Sequence, residues 1–144
     1  MSEGGVYTPV LFTLDVHDQP NLDRYLGQSH QVLEELGIRC TYFAPAATFV
    51  KHKSQFQAIA ESHDVACHGL YHGEEEFYDV MSTASQSDYI RQATDLLSEG
   101  LGRHPGAFRA PAFRVSGTTL RLLSESGYRA DVSVNSGRLG ITGS

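Results

Sequence analysis

The feature of this sequence that most restricts its fold is a regular alternation of short apolar, β-branched or aromatic runs with longer segments of helical periodicity. The run FTLDV at 12–16 is followed by 21–36 (NLDRYLGQSHQVLEEL). There Leu22, Tyr25, Leu26, Ser29, Leu33 and Leu36 share one helical face, with Asn21 placed to cap it and Gly37 to stop it. Residues 38–44 (IRCTYFA) read as a second strand ending at Pro45. A helical segment is expected around 55–61 and a short strand at 64–67. A helix follows over 87–101, with Tyr89, Ile90, Ala93, Leu96, Leu97 and Leu101 at helical spacing and Gly102 closing it. A fourth strand is expected at 107–110, a helix over 117–125 capped by Ser116 and ended by Gly127, and a fifth strand at 128–134. Two junctions, ELGIRCTYF and ESGYRADVS, both run from a helix end through Gly and Arg into a strand, as a βα repeat would. Five strands alternating with helices predict an α/β fold, a parallel sheet or (β/α) barrel, in which functional groups gather at the C-terminal ends of the strands.

The 144 residues, 40% of them hydrophobic, are in the size range of one domain with its own core, spanning 1–144. The net charge of −6, with Lys and Arg scattered, gives no footprint for nucleic acid or an anionic membrane surface. The apolar stretch 6–14 is broken by Thr8 and Pro9, lacks a basic flank and is too short to span a bilayer. Cys40 and Cys67 each lie in an apolar strand-like run and read as reduced, buried thiols. These features predict a soluble, cytoplasmic chain.

Three polar clusters stand where three predicted strands end. The first is Asp15, His17 and Asp18, after Val10, Leu11, Phe12 and Leu14. The second is CHGLYH, whose His68 and His72 are four apart. A helical turn would place both imidazoles on one face to chelate a divalent metal, and a loop through Gly69 could bring about the same convergence. The third is FRAPAFR, in which Arg109 ends the fourth strand and Pro111 fixes the backbone behind it. Each cluster alone is an ordinary turn or loop; their coincidence at the ends of one sheet is what points to a site.

Together these motifs resemble the polysaccharide deacetylase family, carbohydrate esterase family 4, also called the NodB homology domain. TLDVHD, HGLYH and RAPAF stand in the order of that family's Asp-rich TFDDG-type motif, H-[ST]-x-x-H and R-x-P. TYFAPA is similar to the family's TFF segment and YRADVSVNS to its Y-x-x-D-S-S-V segment, so the likeness runs over residues 10–136. The resemblance implies a distorted (β/α) barrel and metal-dependent hydrolysis of an N-acetyl group on an amino sugar. On it, Asp15 matches the catalytic base, Arg109 the arginine that pairs with the base, and His68 and His72 two metal ligands. The third ligand is open. Side chains two apart on a strand share a face, which favours His17 beside Asp15. A turn at Val16 would instead bring in Asp18, and the family's set of one carboxylate and two histidines favours Asp18. Gly69 stands where the family carries a hydroxyl that could orient the loop. The implied ion is divalent, zinc foremost, with cobalt or nickel as alternatives.

In such a site the ion acidifies a water, Asp15 takes the remaining proton, and a backbone N–H near Ala112 and Phe113 stabilises the oxyanion. The family's leaving-group acid is a histidine of a late motif, and no histidine follows His104. A full (β/α) barrel has about 250 residues. The chain is therefore expected to be the N-terminal portion of a longer domain, or a shortened relative, lacking that acid and open to a partner or second copy along an exposed sheet edge. Two alternatives stay in view: hydrolysis of another non-peptide C–N bond such as a cyclic amide, and a catalytically silent metal- or carbohydrate-binding module. Tyr71, Phe77, Tyr78 and Phe113 could form a sugar-stacking rim, although packing roles are the expectation for most of them. GEEEF at 73–77 reads as a solvated helix start.

Overall fold

The computed structural model describes residues 9–134; Asn135 and Ser136 of the YRADVSVNS segment and residues 6–8 of the apolar stretch lie outside the described residues. Five strands, β1 (Phe12–Asp15), β2 (Cys40–Ala44), β3 (Asp64–Cys67), β4 (Ala107–Phe108) and β5 (Ala130–Asp131), pair in chain order, every pair parallel. The sheet curls into a half-barrel, with helices α1 (Leu22–Leu36), α2 (Ala46–Lys51), α3 (Lys53–Ile59), α4 (Thr83–Leu101) and α5 (Gly117–Glu125) between its strands. Asp15 lies opposite Phe43, Phe43 opposite Ala66, and Cys67 opposite Phe108.

Successive side chains on a strand face opposite ways, and this alternation divides the molecule. Tyr42, Ala44, Val65, Cys67 and Phe108 belong to one buried cluster with Phe49 of α2, Phe56 of α3 and Ile90 and Leu97 of α4. Each large side chain in that cluster contributes about 1.5–3 kcal/mol on burial. The intervening positions, Thr13, Asp15, Phe43, Ala66, His68 and Arg109, line the concave face. Cys40 and Cys67 are free and buried, and burial pushes the Cys67 thiol up to about 12, so it stays protonated.

Several elements depart from the sequence expectations. α2 does not show in the hydrophobic pattern, yet it starts directly behind Pro45 and buries Ala46, Thr48 and Phe49. α4 begins at Thr83 rather than Ser87, because the Ser82 hydroxyl accepts the Ser85 N–H and caps an additional turn. Asn21 occupies the cap position of α1 with φ 62° and no side-chain cap bond; its use there is tolerance of the left-handed region. Ser116 forms a full capping box with Thr119. β4 and β5 are two residues each, shorter than 107–110 and 128–134, although Arg109 N–H still reaches Cys67 O at 2.9 Å and Val132 N–H reaches Phe108 O at 2.9 Å. No helix among the described residues is long and apolar enough to cross a membrane.

Gly100, buried in the last turns of α4, lets that helix approach α2 closely, since a Cβ there would overlap the Phe49 ring. Alanine is the better helix former by about 1 kcal/mol, but forcing a methyl into a packed core costs about 1–3 kcal/mol. Gly100→Ala is expected to destabilise the chain by about 1 kcal/mol in urea unfolding; an unchanged or raised midpoint would show that the α2–α4 contact is loose.

Candidate active site

The end of β1 keeps its alternation for one residue beyond the strand, because Val16 N–H donates to Phe43 O at 2.9 Å. Val16 is consequently buried against the helices, and Asp15 and His17 fall on the opposite, concave side. Asp18 is turned out of the site. Its carboxylate accepts from Lys51 Nζ at 2.9 and 3.1 Å, a bond that holds it below the ordinary carboxylate range. The structure thus brings His17, rather than Asp18, to the histidines that follow β3.

His68 follows β3 and is buried. Its Nδ1 lies 2.8 Å from Arg109 O. A carbonyl can only accept, so Nδ1 carries the proton and Nε2 keeps its lone pair. Burial depresses the His68 imidazolium to about 4, so the ring is neutral near pH 7. The chain then leaves the strand through left-handed conformations, φ 81° at Gly69 and φ 64° at His72, so the HxxxH pair converges on a loop and not on a helix. Ring centroids are 4.6 Å apart for His68 and His72, and 4.4 Å for His17 and His72. One ring nitrogen from each of His17, His68 and His72 lies within 4.8 Å of the other two. Burial and the neighbouring His72 also lower His17. Three imidazoles whose ring nitrogens converge on one point are a donor set that fits a divalent transition metal.

Beside the trio, Asp15 Oδ1 pairs with Arg109 Nη1 at 2.6 Å. The guanidinium also donates to Thr13 Oγ1 at 3.3 Å and lies over the Phe43 ring, 4.3 Å from its centroid. The other carboxylate oxygen, Oδ2, stands 4.0 Å from His68 Nε2. The loop after Arg109 is held from β5. Ser133 Oγ accepts the Ala110 N–H at 2.8 Å and donates to Asp131 Oδ1 at 2.6 Å, which gives the YRADVSV segment its part in the site. Ala112 and Phe113 turn through φ 52° and φ 60°, and the Phe113 N–H is already donated to Ala110 O at 3.0 Å. That bond takes Phe113, but not Ala112, out of the oxyanion donors expected from the sequence.

Residues 8–130 match the sequence profile of polysaccharide deacetylases. The chain belongs to that family. A peptidoglycan deacetylase-like protein of Gibberella zeae is 27% identical over 113 residues, covering 76% of this chain, and the chain spans 32% of that relative's length. A family 4 carbohydrate esterase from Streptomyces lividans, solved with acetate, superposes at a TM-score of 0.71 with 20% identity over 84% of this chain and 60% of its own. A family 4 pseudoenzyme from Bacillus anthracis superposes at 0.75 with 12% identity over 84% of this chain and 41% of its own. These likenesses confirm the curled βα architecture that the sequence predicts.

Other residues of this family member lie elsewhere or take different parts. Glu76, read as part of a solvated run, is fully buried. It accepts the backbone N–H groups of Tyr71 and His72, each at 2.8 Å. The signal that could have found it is the spacing HxxxE after His72, in which a carboxylate four residues on returns to its own loop. Tyr78 is core, Phe77 lies under Arg114 at 4.4 Å, and Tyr71 and Phe113 are exposed. None of the other four histidines among the described residues joins the trio. His30, Glu34 and His63 converge at the far end of the sheet, but His63 Nδ1 accepts the Cys40 N–H at 3.3 Å, which places its proton on Nε2 and denies that nitrogen to a metal. His104, likewise remote, bonds Ser126 O at 2.9 Å.

The depressed His68 has a consequence for stability. In the unfolded chain a histidine protonates near 6.5, in the folded chain His68 does so only near 4, so between those values the unfolded state binds more protons. The metal-free protein should hold its full stability above pH 7 and lose several degrees in Tm as pH falls from 6.5 to 4. His68→Gln should flatten that slope. A Tm independent of pH across this window would contradict a buried neutral His68.

Proposed function

We propose that this chain carries the metal centre of a hydrolase that removes N-acetyl groups from amino sugars of a polysaccharide. The observation that carries the reading is the convergence of three imidazoles on one point beside the Asp15–Arg109 pair. His17, His68 and His72 would hold the ion, zinc foremost and cobalt or nickel as alternatives. When bound, such an ion lowers the pKa of a water toward about 7 and polarises an amide oxygen. Asp15 is the general base: Arg109 engages its Oδ1, orients the carboxylate and leaves Oδ2 facing the histidines to receive the proton of the attacking water. Phe43 and Thr13 fix the guanidinium, and so fix the base. The substrate class is supported by family membership and by the peptidoglycan deacetylase-like relative. Tyr71 and Phe113, both exposed, are the aromatic surfaces on which a sugar ring could stack.

A second reading, a metal- or carbohydrate-binding module without turnover, draws on the histidine at position 17 and on the fold shared with the Bacillus anthracis pseudoenzyme. Turnover separates the two. Protein loaded with zinc or cobalt is expected to release acetate from N-acetylglucosamine oligomers. Asp15→Asn should lower the rate by about 10²–10⁴-fold while the metal is retained. No acetate from the loaded wild type would overturn the hydrolase reading in favour of the binding module, and release from a cyclic amide alone would reassign the substrate.

A further inference from the structure

The loop that carries His72 is tied to the first turn of α2 at its start, Ala46 N–H donating to Gly69 O and Ala47 N–H to Leu70 O, both at 2.9 Å, and from Leu70 to His72 its N–H groups are held by one buried side chain. The Glu76 carboxylate accepts four hydrogen bonds: Oε1 from Leu70 N–H at 2.5 Å and the Tyr78 hydroxyl at 2.7 Å, Oε2 from Tyr71 N–H and His72 N–H, both at 2.8 Å. A carboxylate has about four acceptor sites, so this one is fully satisfied. Three consecutive backbone N–H groups pointing at one anion form a closed nest. That nest holds residues 70–72 in a path the chain would not otherwise choose, since His72 sits at φ 64° without being glycine. The same carboxylate accounts for Gly69. A Cβ there would stand 2.5 Å from Glu76 Oε1 and 2.9 Å from Pro111 Cγ, and φ is 81°.

We propose that Glu76 is the positioning residue of the metal centre: its buried carboxylate captures the backbone of 70–72 and thereby sets the His72 imidazole against His68 and His17. The proposal rests on the reading of those three histidines as ligands. The glutamate touches no substrate and coordinates nothing; it acts through the backbone of a ligand. Its effect is therefore on affinity and coordination geometry rather than on the chemical step. Glutamine has the same shape but offers one acceptor oxygen where two are needed, and its NH₂ would face N–H donors. Loss of a group that orients a metal-ligating histidine typically costs 10–100-fold in metal affinity.

The test uses the full chain and cobalt(II), whose visible absorption reports ligand number and geometry. In the metal-free wild type, the amide protons of residues 70–72 should exchange slowly, an observation that needs no variant. Glu76→Gln should speed their exchange at least about tenfold, leave the Ile90 to Leu97 amides protected, weaken cobalt binding by about 10–100-fold and alter the visible band. Tyr78→Phe, which removes the one donor outside the loop, should keep affinity within about threefold of wild type. Free exchange at 70–72 in the wild type, or cobalt affinity of a folded Glu76→Gln within twofold of wild type, would overturn the proposal. Should Glu76→Gln fail to fold, slow exchange at 70–72 in the wild type together with tight cobalt binding by Tyr78→Phe supports it, and fast exchange overturns it. A wild type that takes up no cobalt overturns the metal reading itself, a failure distinguishable because the amide measurement requires no metal.

Discussion

The contact between Asp15 and Arg109 measures the curvature on which the site depends. β1 and β4 are separated by two strands, and in a flat sheet three strand spacings amount to about 14 Å. Their side chains nevertheless meet at 2.6 Å, which only a curled sheet allows. With side-chain exposures of 12% for Arg109 and 25% for Asp15, the pair is largely withdrawn from water, where removing one partner strands the other charge. Phe43 beneath the guanidinium and Thr13 at its edge add contacts from β2 and β1. One ion pair thus spans the concave face, and the histidines converge at its upper rim because the same curl carries β1 and β3 toward each other.

The strand alternation that builds the core also delivers the chemistry. Odd and even positions of each strand go to opposite faces, so one face can be packed with Tyr42, Val65 and Phe108 while the other presents Asp15, His68 and Arg109. Beyond the strand ends, side chains hold backbone: Glu76 holds 70–72, and Ser133 with Asp131 holds Ala110 next to Arg109. The backbones beside His72 and Arg109 are thus each held by a polar side chain from another part of the chain. Such support would keep the proposed ligands and base in place before any substrate arrives.

Most of the βα order was legible because periods of 2 and 3.6 survive in single sequences, as in 21–36 and 64–67. What escaped was set by tertiary contact. α2 is six residues with no amphipathic stripe, held by Phe49 in the core. That omission bears on the choice between His17 and Asp18: Lys51, which draws Asp18 aside, sits on α2. Strand alternation alone pointed to His17, and the carboxylate expected from family resemblance pointed to Asp18. The buried state of Glu76 was hidden in a run of three glutamates, because only Glu76 of that run turns back onto the 70–72 loop. Arg109 and Asp15 were readable from their places at strand ends; their contact required the curl.

The central claim is that His17, with His68 and His72, forms the metal centre. The most direct measurement is zinc content by elemental analysis of wild type, His17→Ala and Asp18→Ala, each folded and dialysed against one equivalent of zinc. The account predicts about one zinc per chain in the wild type and in Asp18→Ala, and loss of most of it in His17→Ala. Zinc retained in His17→Ala and lost in Asp18→Ala would contradict it.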